Sequence, residues 1–266
     1  MGNYKSRPAS SCSEEHLKKV SELQALASLK LTADLRLPEP GTVTELQEAC
    51  CRAEVDRVAV FATPEAVQEV TGAGLGAAHL CLLAPGSETR HLQLVATRGA
   101  ALAAPSRNSW RPLHLAAAAG DVARARVLVQ LLGRDQLDTP GFGEMTALHV
   151  AVMRGSLELV SLLVAAGAAV TSRDLVHFTP LHYAAWCGRD QVAAYLLTVS
   201  PAPCPASCVG DTPLHLACWR GHLGVARLLV ERGAGVRAQD GEQHSPLHVA
   251  AHCGHTELLS LLTQPR

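Results

Sequence analysis

Five Leu-His pairs recur along the chain at almost constant spacing, and this regularity constrains the fold more than any other feature. The histidines stand at 114, 149, 182, 215 and 248, separated by 35, 33, 33 and 33 residues. Each closes a similar tetrapeptide: Arg111-Pro112-Leu113-His114, Thr146-Ala147-Leu148-His149, Thr179-Pro180-Leu181-His182, Thr212-Pro213-Leu214-His215 and Ser245-Pro246-Leu247-His248. A period of this length signals one supersecondary unit copied and stacked, because a single unit of this size cannot bury its own apolar face.

Every position of the unit has a mechanical reason. Thr or Ser before the helix accepts a bond from an otherwise orphan backbone N–H, and Pro fits the first helical position because it has no N–H to lose. The alanine two residues after each His, followed in most units by a second one as in Ala184 and Ala185, lets helices approach closely. Six residues after each His stands a glycine, at 120, 155, 188, 221 and 254, suited to the left-handed helix stop. Second helices carry the pairs Leu162-Leu163, Leu228-Leu229 and Leu261-Leu262, which must bury against neighbouring units. The Thr-Pro-Leu-His-x-Ala pattern resembles the ankyrin repeat. That resemblance implies an all-α solenoid of helix-turn-helix units joined by hairpin loops.

The frame extends backward in weaker form. Ala78-His79-Leu80-Cys81 lies 35 residues before His114 without the Thr-Pro start, giving a degenerate first unit near 72–107 and about six units over 72–266. No polar capping unit is evident at the carboxy end, so a truncation or a fragment is expected. Residues 1–12 read as a flexible tail and 13–71 as a helical segment. Ser11 and Glu14 are spaced as a capping box for a helix to about Leu35, and Thr42 and Glu45 for another to about Glu54. Leu17, Val20, Leu23 and Leu26 suit a helix partner, but Pro38 and Pro40 interrupt any coiled coil, and packing on or near the solenoid is the simpler expectation. The linker from Gly133 to Glu144 is two residues longer than its counterparts, and Pro201, Pro203 and Pro205 make another stiff and extended.

Composition narrows the function. A formal net charge of -1 with scattered arginines supplies no concentrated positive field for a phosphate backbone, so no nucleic-acid partner is expected. Aromatic residues at 3% suit small, regular Ala/Leu packing rather than base stacking. The nine cysteines, an odd set with no secretory signal ahead of them, read as reduced thiols in a cytoplasmic protein. Leu157 to Val170, among the most apolar runs, is broken by Glu158, Ser161 and Gly167 and is too short for a bilayer.

Further residues carry a narrower resemblance. Met1-Gly2-Asn3-Tyr4-Lys5-Ser6-Arg7-Pro8, Lys18-Lys19-Val20-Ser21-Glu22, Thr44-Glu45-Leu46, and Gln239-Asp240-Gly241-Glu242-Gln243-His244 before Pro246-Leu247-His248 are similar, over essentially the whole chain, to the amino-terminal half of one kinase family. These are the ankyrin-repeat, tyrosine-kinase-like enzymes that interact with cardiac troponin I. The resemblance implies a recognition region ahead of a serine/threonine kinase domain, protein partners including cardiac troponin I, and a cytoplasmic location extending to the nucleus. The chain itself carries no kinase motifs. All four lysines, Lys5, Lys18, Lys19 and Lys30, precede residue 31, and neither an H-R-D-L nor a D-F-G segment is present. A scaffold or adaptor is therefore expected, with a fragment of a longer kinase as the alternative.

Other chemistry weakens on inspection. Gly72-Ala73-Gly74-Leu75-Gly76 lacks the Gly-Lys-Ser/Thr of a phosphate loop and reads as a turn. Cys204 with Cys208, and His252 with Cys253 and His255, offer no convincing four-ligand spacing, so neither metal nor cofactor is expected. No catalytic set stands out, because the conspicuous residues recur at the repeat period. Met1-Gly2 with Ser6 matches the N-myristoylation pattern, making Gly2 a lipidation candidate, with Lys5 and Arg7 placed to assist at an anionic membrane; the alternative is an unmodified tail.

The best partner-binding candidates lie four and five residues after each repeat His. The first column reads Ala118, Met153, Trp186, Trp219 and His252, and its neighbour Ala119, Arg154, Cys187, Arg220 and Cys253. Trp and Arg are frequent binding hot spots. The competing expectation is that both indoles pack into the groove between units. A second candidate surface is the hairpin tips, with Asp174, Leu175, Val176, His177, Asp240 and Glu242, against ordinary solvated loops. Oligomeric state is left open.

Overall fold

The structure is a computed structural model and describes residues 43–84, 89–200 and 206–264. Among these residues fifteen α-helices and two short 3-10 turns occur, with no strand. The expected helices from Ser11 and from Thr42 have their starts outside the described residues, as do Gly2, the three linker prolines and Cys204.

The helices fall into seven pairs. They are α1 (Glu45–Cys51) with α2 (Val55–Phe61), α3 (Ala77–Leu83) with α4 (Thr89–Thr97), and α5 (Pro112–Ala119) with α6 (Val122–Leu131). A four-residue helix, α7 (Arg134–Leu137), occupies the long linker. Then come α8 (Ala147–Arg154) with α9 (Leu157–Ala166), α10 (Pro180–Trp186) with α11 (Asp190–Val199), α12 (Pro213–Arg220) with α13 (Leu223–Glu231), and α14 (Pro246–His252) with α15 (Thr256–Thr263). First helices pack on first helices, α1 to α3 to α5 and onward to α14, while second helices form the parallel layer from α2 to α15. The result is a two-layered solenoid whose core lies between the layers.

The stack continues amino-terminal to the degenerate unit read near 72–107. Helix α1 starts at Thr44, not Thr42: the Thr44 hydroxyl accepts from the Gln47 N–H at 3.4 Å, and the Gln47 side chain accepts from the Thr44 N–H at 3.2 Å. The exit of α1 repeats the exits of the regular units. Glu54 N–H reaches the Ala49 carbonyl at 3.1 Å, as Asp121 reaches Ala116 at 3.0 Å, Arg189 reaches Ala184 at 2.9 Å and His222 reaches Ala217 at 2.9 Å. Gln47 is therefore the counterpart of the repeat histidine, and Ala53, with φ 55, that of the helix-ending glycine.

Hairpin turns project from one edge of the stack, and all but the turn headed by Gly141 share one device. The first tip residue accepts backbone N–H groups of its own turn: Thr71 from Leu75, Ser106 from Trp110, Ser207 from Val209 and Asp211, and Asp174 and Asp240 from residues two and four ahead. Successive turns are tied by single backbone bonds, Arg107 N–H to Ala73, Leu175 to Gly143, Cys208 to Val176 and Gly241 to Val209. The glycine-rich stretch at 72–76 is one of these turns.

Candidate functional site

Two ladders of side-chain bonds hold successive units in register and so fix the inner surface. In the forward ladder the repeat histidines at 149, 182 and 215 accept at Nδ1 and donate at Nε2. His149 Nδ1 accepts from the Thr146 N–H at 3.1 Å, with the Thr146 hydroxyl 2.9 Å away, while Nε2 donates to the Phe178 carbonyl at 3.1 Å in the next turn. The same reach links His79 to Trp110, His114 to Met145, His182 to Asp211 and His215 to His244, at 2.9–3.2 Å. The backbone donor at Nδ1 fixes the tautomer carrying its proton on Nε2. Burial pushes His114, His149 and His182 down to about 4, so they are neutral and serve as structural donors. His114 is the imperfect rung: Arg111 replaces the hydroxyl residue, and His114 Nδ1 is buried without a hydrogen-bond partner.

The backward ladder starts one residue after the helix-ending glycines. Arg189 donates to the Met153 carbonyl at 3.2 and 3.0 Å, His222 Nε2 to Trp186 at 3.1 Å, and His255 Nε2 to Trp219 at 3.3 Å. These side chains lie across the glycines of the preceding unit. A Cβ on Gly188 would sit 2.5 Å from the His222 ring, and one on Gly221 2.7 Å from the His255 ring. The glycines thus serve a left-handed φ and a close approach at once.

What remains open on the first helices is the pair of columns four and five residues after each repeat position. Arg154, Arg220 and His252 are exposed, and Met153, Cys187, Trp219 and Cys253 are half-buried. Trp219 lies near-parallel to His252, with ring centroids 6.4 Å apart, and the Arg220 guanidinium sits 4.9 Å from the Trp186 ring centroid. The side chains before these columns, from Leu to the alanines, are mostly buried between units.

A family model for ankyrin repeats matches the chain in three overlapping copies, over residues 79–174, 113–204 and 199–265. The chain belongs to the ankyrin-repeat family. Curated relatives include the serine/threonine-protein kinase TNNI3K of Homo sapiens, of Mus musculus and of Pongo abelii, each 38% identical over 121 residues. That match takes in 44% of this chain, less than the near-complete resemblance expected from the sequence, and 13% of the human and mouse proteins or 18% of the orangutan one. The chain thus corresponds to a small part of those kinases' length.

On the ankyrin stack the expected site residues separate into groups. Met153, Arg154, Trp219, Arg220 and His252 share one face. Trp186 belongs to the column by position but is only 5% exposed; it packs into the core and presents Arg220 above it in its place. Among the tip residues, His177 is exposed, with φ 61. Asp174 is not a free surface group: it is 3% exposed, accepts from the Val176 and Phe178 N–H groups, and takes the Tyr183 hydroxyl at 2.6 Å. Asp240 is engaged similarly within its own turn, and Glu242 lies 3.4 Å from His244. These carboxylates build the loops that the tip reading offered to a partner.

The backward ladder escaped the sequence reading. Its signal is the residue directly after the last three glycines, Arg189, His222 and His255, a long nitrogen donor able to reach a carbonyl one unit back. Among the described residues no group of three or more His, Cys, Asp or Glu is placed to hold a metal ion, and no helix is long and apolar enough to cross a membrane. The described cysteines are free thiols, and burial pushes Cys218 up to about 12 and Cys51 up to about 11, far from the range of a reactive thiolate.

Proposed function

We propose that the chain is a protein-interaction scaffold that seats its partner on the inner columns, centred on Trp219 and Arg220. The observation that carries this reading is the contrast along each first helix. Residues up to the alanines are consumed by stacking, while Met153 and Arg154 on one unit, half-buried Cys187 on the next, Trp219 and Arg220 on the third and His252 on the fourth leave a partly apolar, partly exposed set of side chains at the same offset. Trp and Arg held on a rigid support lose little freedom on binding, which favours them as anchors. The test is site-specific photo-crosslinking in cells, with the reactive residue in place of Trp219 or, on an outer helix, in place of Arg126. Partner adducts from position 219 and few from 126 support the assignment; equal yields from both sink it.

The similarity to TNNI3K kinases favours a second, compatible reading, that this scaffold is the recognition part of a longer kinase, itself without catalysis. Cardiac troponin I is then the first partner to try, and the cytoplasm the first compartment to examine, with the nucleus next. Reading the transcript beyond codon 266 tests this proposal, since a kinase requires the strand lysine, catalytic-loop and D-F-G motifs downstream. Gly2 supplies a lipid anchor in the same scheme, and intact-mass measurement of the cellular protein without an acyl group removes it.

A further inference from the structure

We propose that the partner segment seated on the inner columns is acidic and extended, with carboxylates about six residues apart. This deepens the scaffold reading and rests on it. Over five units the two columns contain two arginines, one histidine and no acidic residue. Arg154 and Arg220 are both exposed, and neither forms an ion pair among the described residues. Three other arginines on or beside the packed helices are engaged within the stack. Arg124 pairs with Asp121 and caps the carbonyls of Cys81 and Leu82, Arg189 caps Met153, and Arg232 caps Leu197. The nearby carboxylates of Asp174 and Asp240 are equally committed, to Tyr183 and to backbone N–H groups.

The positive column is therefore uncompensated, and its geometry selects the shape of what compensates it. Arg220 rests against the Trp186 ring at 4.9 Å, which orients the guanidinium before any anion arrives. Packed helices stand about 8–10 Å apart, so Arg154 and Arg220, two units apart, are separated by about 16–20 Å. An extended chain advances about 3.3 Å per residue with alternate side chains on one face, so carboxylates at i and i+6 meet both arginines. Half-buried Cys187 on the intervening unit and half-buried Trp219 beside Arg220 offer apolar contact to the intervening residues.

The test is fluorescence anisotropy of the full chain with a fluorescein-labelled oligoglutamate of about twelve residues at low salt, where screening is weak. The variant Arg154→Gln with Arg220→Gln should weaken binding about tenfold or more, a loss of about 1.4 kcal/mol. Arg126→Gln with Arg227→Gln removes the same charge from the outer helices and should change it by no more than about twofold. Equal weakening by the two pairs would show general charge attraction and overturn the inference, as would oligoglutamine binding as tightly as oligoglutamate. Thermal melting of both variants confirms that the stack is intact. If crosslinking at position 219 persists while these outcomes fail, the acidic partner is wrong and the scaffold stands; if crosslinking fails too, the scaffold reading falls with it.

Discussion

The two amino-terminal units and the central ones are built on one frame with different parts. In the centre, Thr146 and Thr179 open helices whose third residue is a buried histidine bonded both backward to its own cap and forward to the next turn. At the amino terminus, Gln47 and His79 hold that position behind Thr44 and Gly76, with no proline and, at Gly76, no hydroxyl. Both still accept the N–H of the capping residue, at 3.2 and 3.3 Å against 3.1 Å at His149 and His182. The core divides at the same place, one cluster gathering α1 to α4 around Leu46 and Leu80 and the other running from Ala78 to Leu262. An acceptor at the third helical position is thus what these units share while hydroxyl and proline vary, and the unit of His114 keeps the residue without the bond at Nδ1.

Acid should break the comparison most strongly. Below about pH 6.5 an unfolded histidine takes up a proton that native His114, His149 and His182, held to about 4 by burial, refuse. The unfolded state then binds more protons, so stability falls as pH drops from about 6.5 toward 4; His215 is shifted in the same direction. Asp211, raised to about 7 by burial and by Asp240 and Glu242, acts oppositely: its stabilisation, full at low pH, is lost as pH rises through about 7. Asp174, also raised by burial, shares that sign. With the three strongly shifted histidines outweighing the carboxylates, urea unfolding should show a net loss on the order of 3 kcal/mol between pH 7.5 and 5. Hydrogen exchange should place the first opening in α5 to α12, and not at the non-titrating Gln47 junction. A midpoint indifferent to pH would undo the argument.

Single substitutions come next in size. His149→Ala leaves the Phe178 carbonyl and the Thr146 N–H without their partners in a fully buried site and removes an edge contact to Tyr183, costing about 2–3 kcal/mol in urea midpoints. Gln47→Ala loses one bond to the cap and should cost about 1 kcal/mol, so equal losses at the two positions would contradict the graded frame. Gly221→Ala places a side chain at φ 75 and 2.7 Å from the His255 ring, for a loss of about 1–2 kcal/mol with a matching drop in melting temperature.

The periodic units were legible because five of them keep both Leu-His and the glycine six residues on. The inner columns were legible for the same reason, since a fixed offset from each histidine locates them. The first unit was hidden because glutamine does the work of histidine, and because Ala53 replaces the glycine that would have marked the helix end. Of the two expectations for Trp186 the packing one holds, because sequence offset gives a column and not a depth: the indole lies in the core, with Arg220 of the next unit 4.9 Å from its ring centroid. Asp174 misled because a carboxylate at a loop tip looks solvated until the turn's own N–H groups, and a tyrosine nine residues ahead, are seen to converge on it.

The smallest expected effect reverses the Gly221 substitution. Ala53 occupies the position held elsewhere by glycine and adopts φ 55, a left-handed conformation that a Cβ disfavours by roughly 1 kcal/mol or more per residue. It is not buried, so removing its methyl forfeits little packing. Glycine also gains freedom in the unfolded chain, which offsets part of the relief. Ala53→Gly should therefore stabilise the amino-terminal unit by about 0.5 kcal/mol, read as slower exchange of α1 and α2 amides with the central units unchanged. Destabilisation on that substitution would mean that α1 and α2 end by a different rule from the other pairs, and that their likeness to the regular units stops at Gln47.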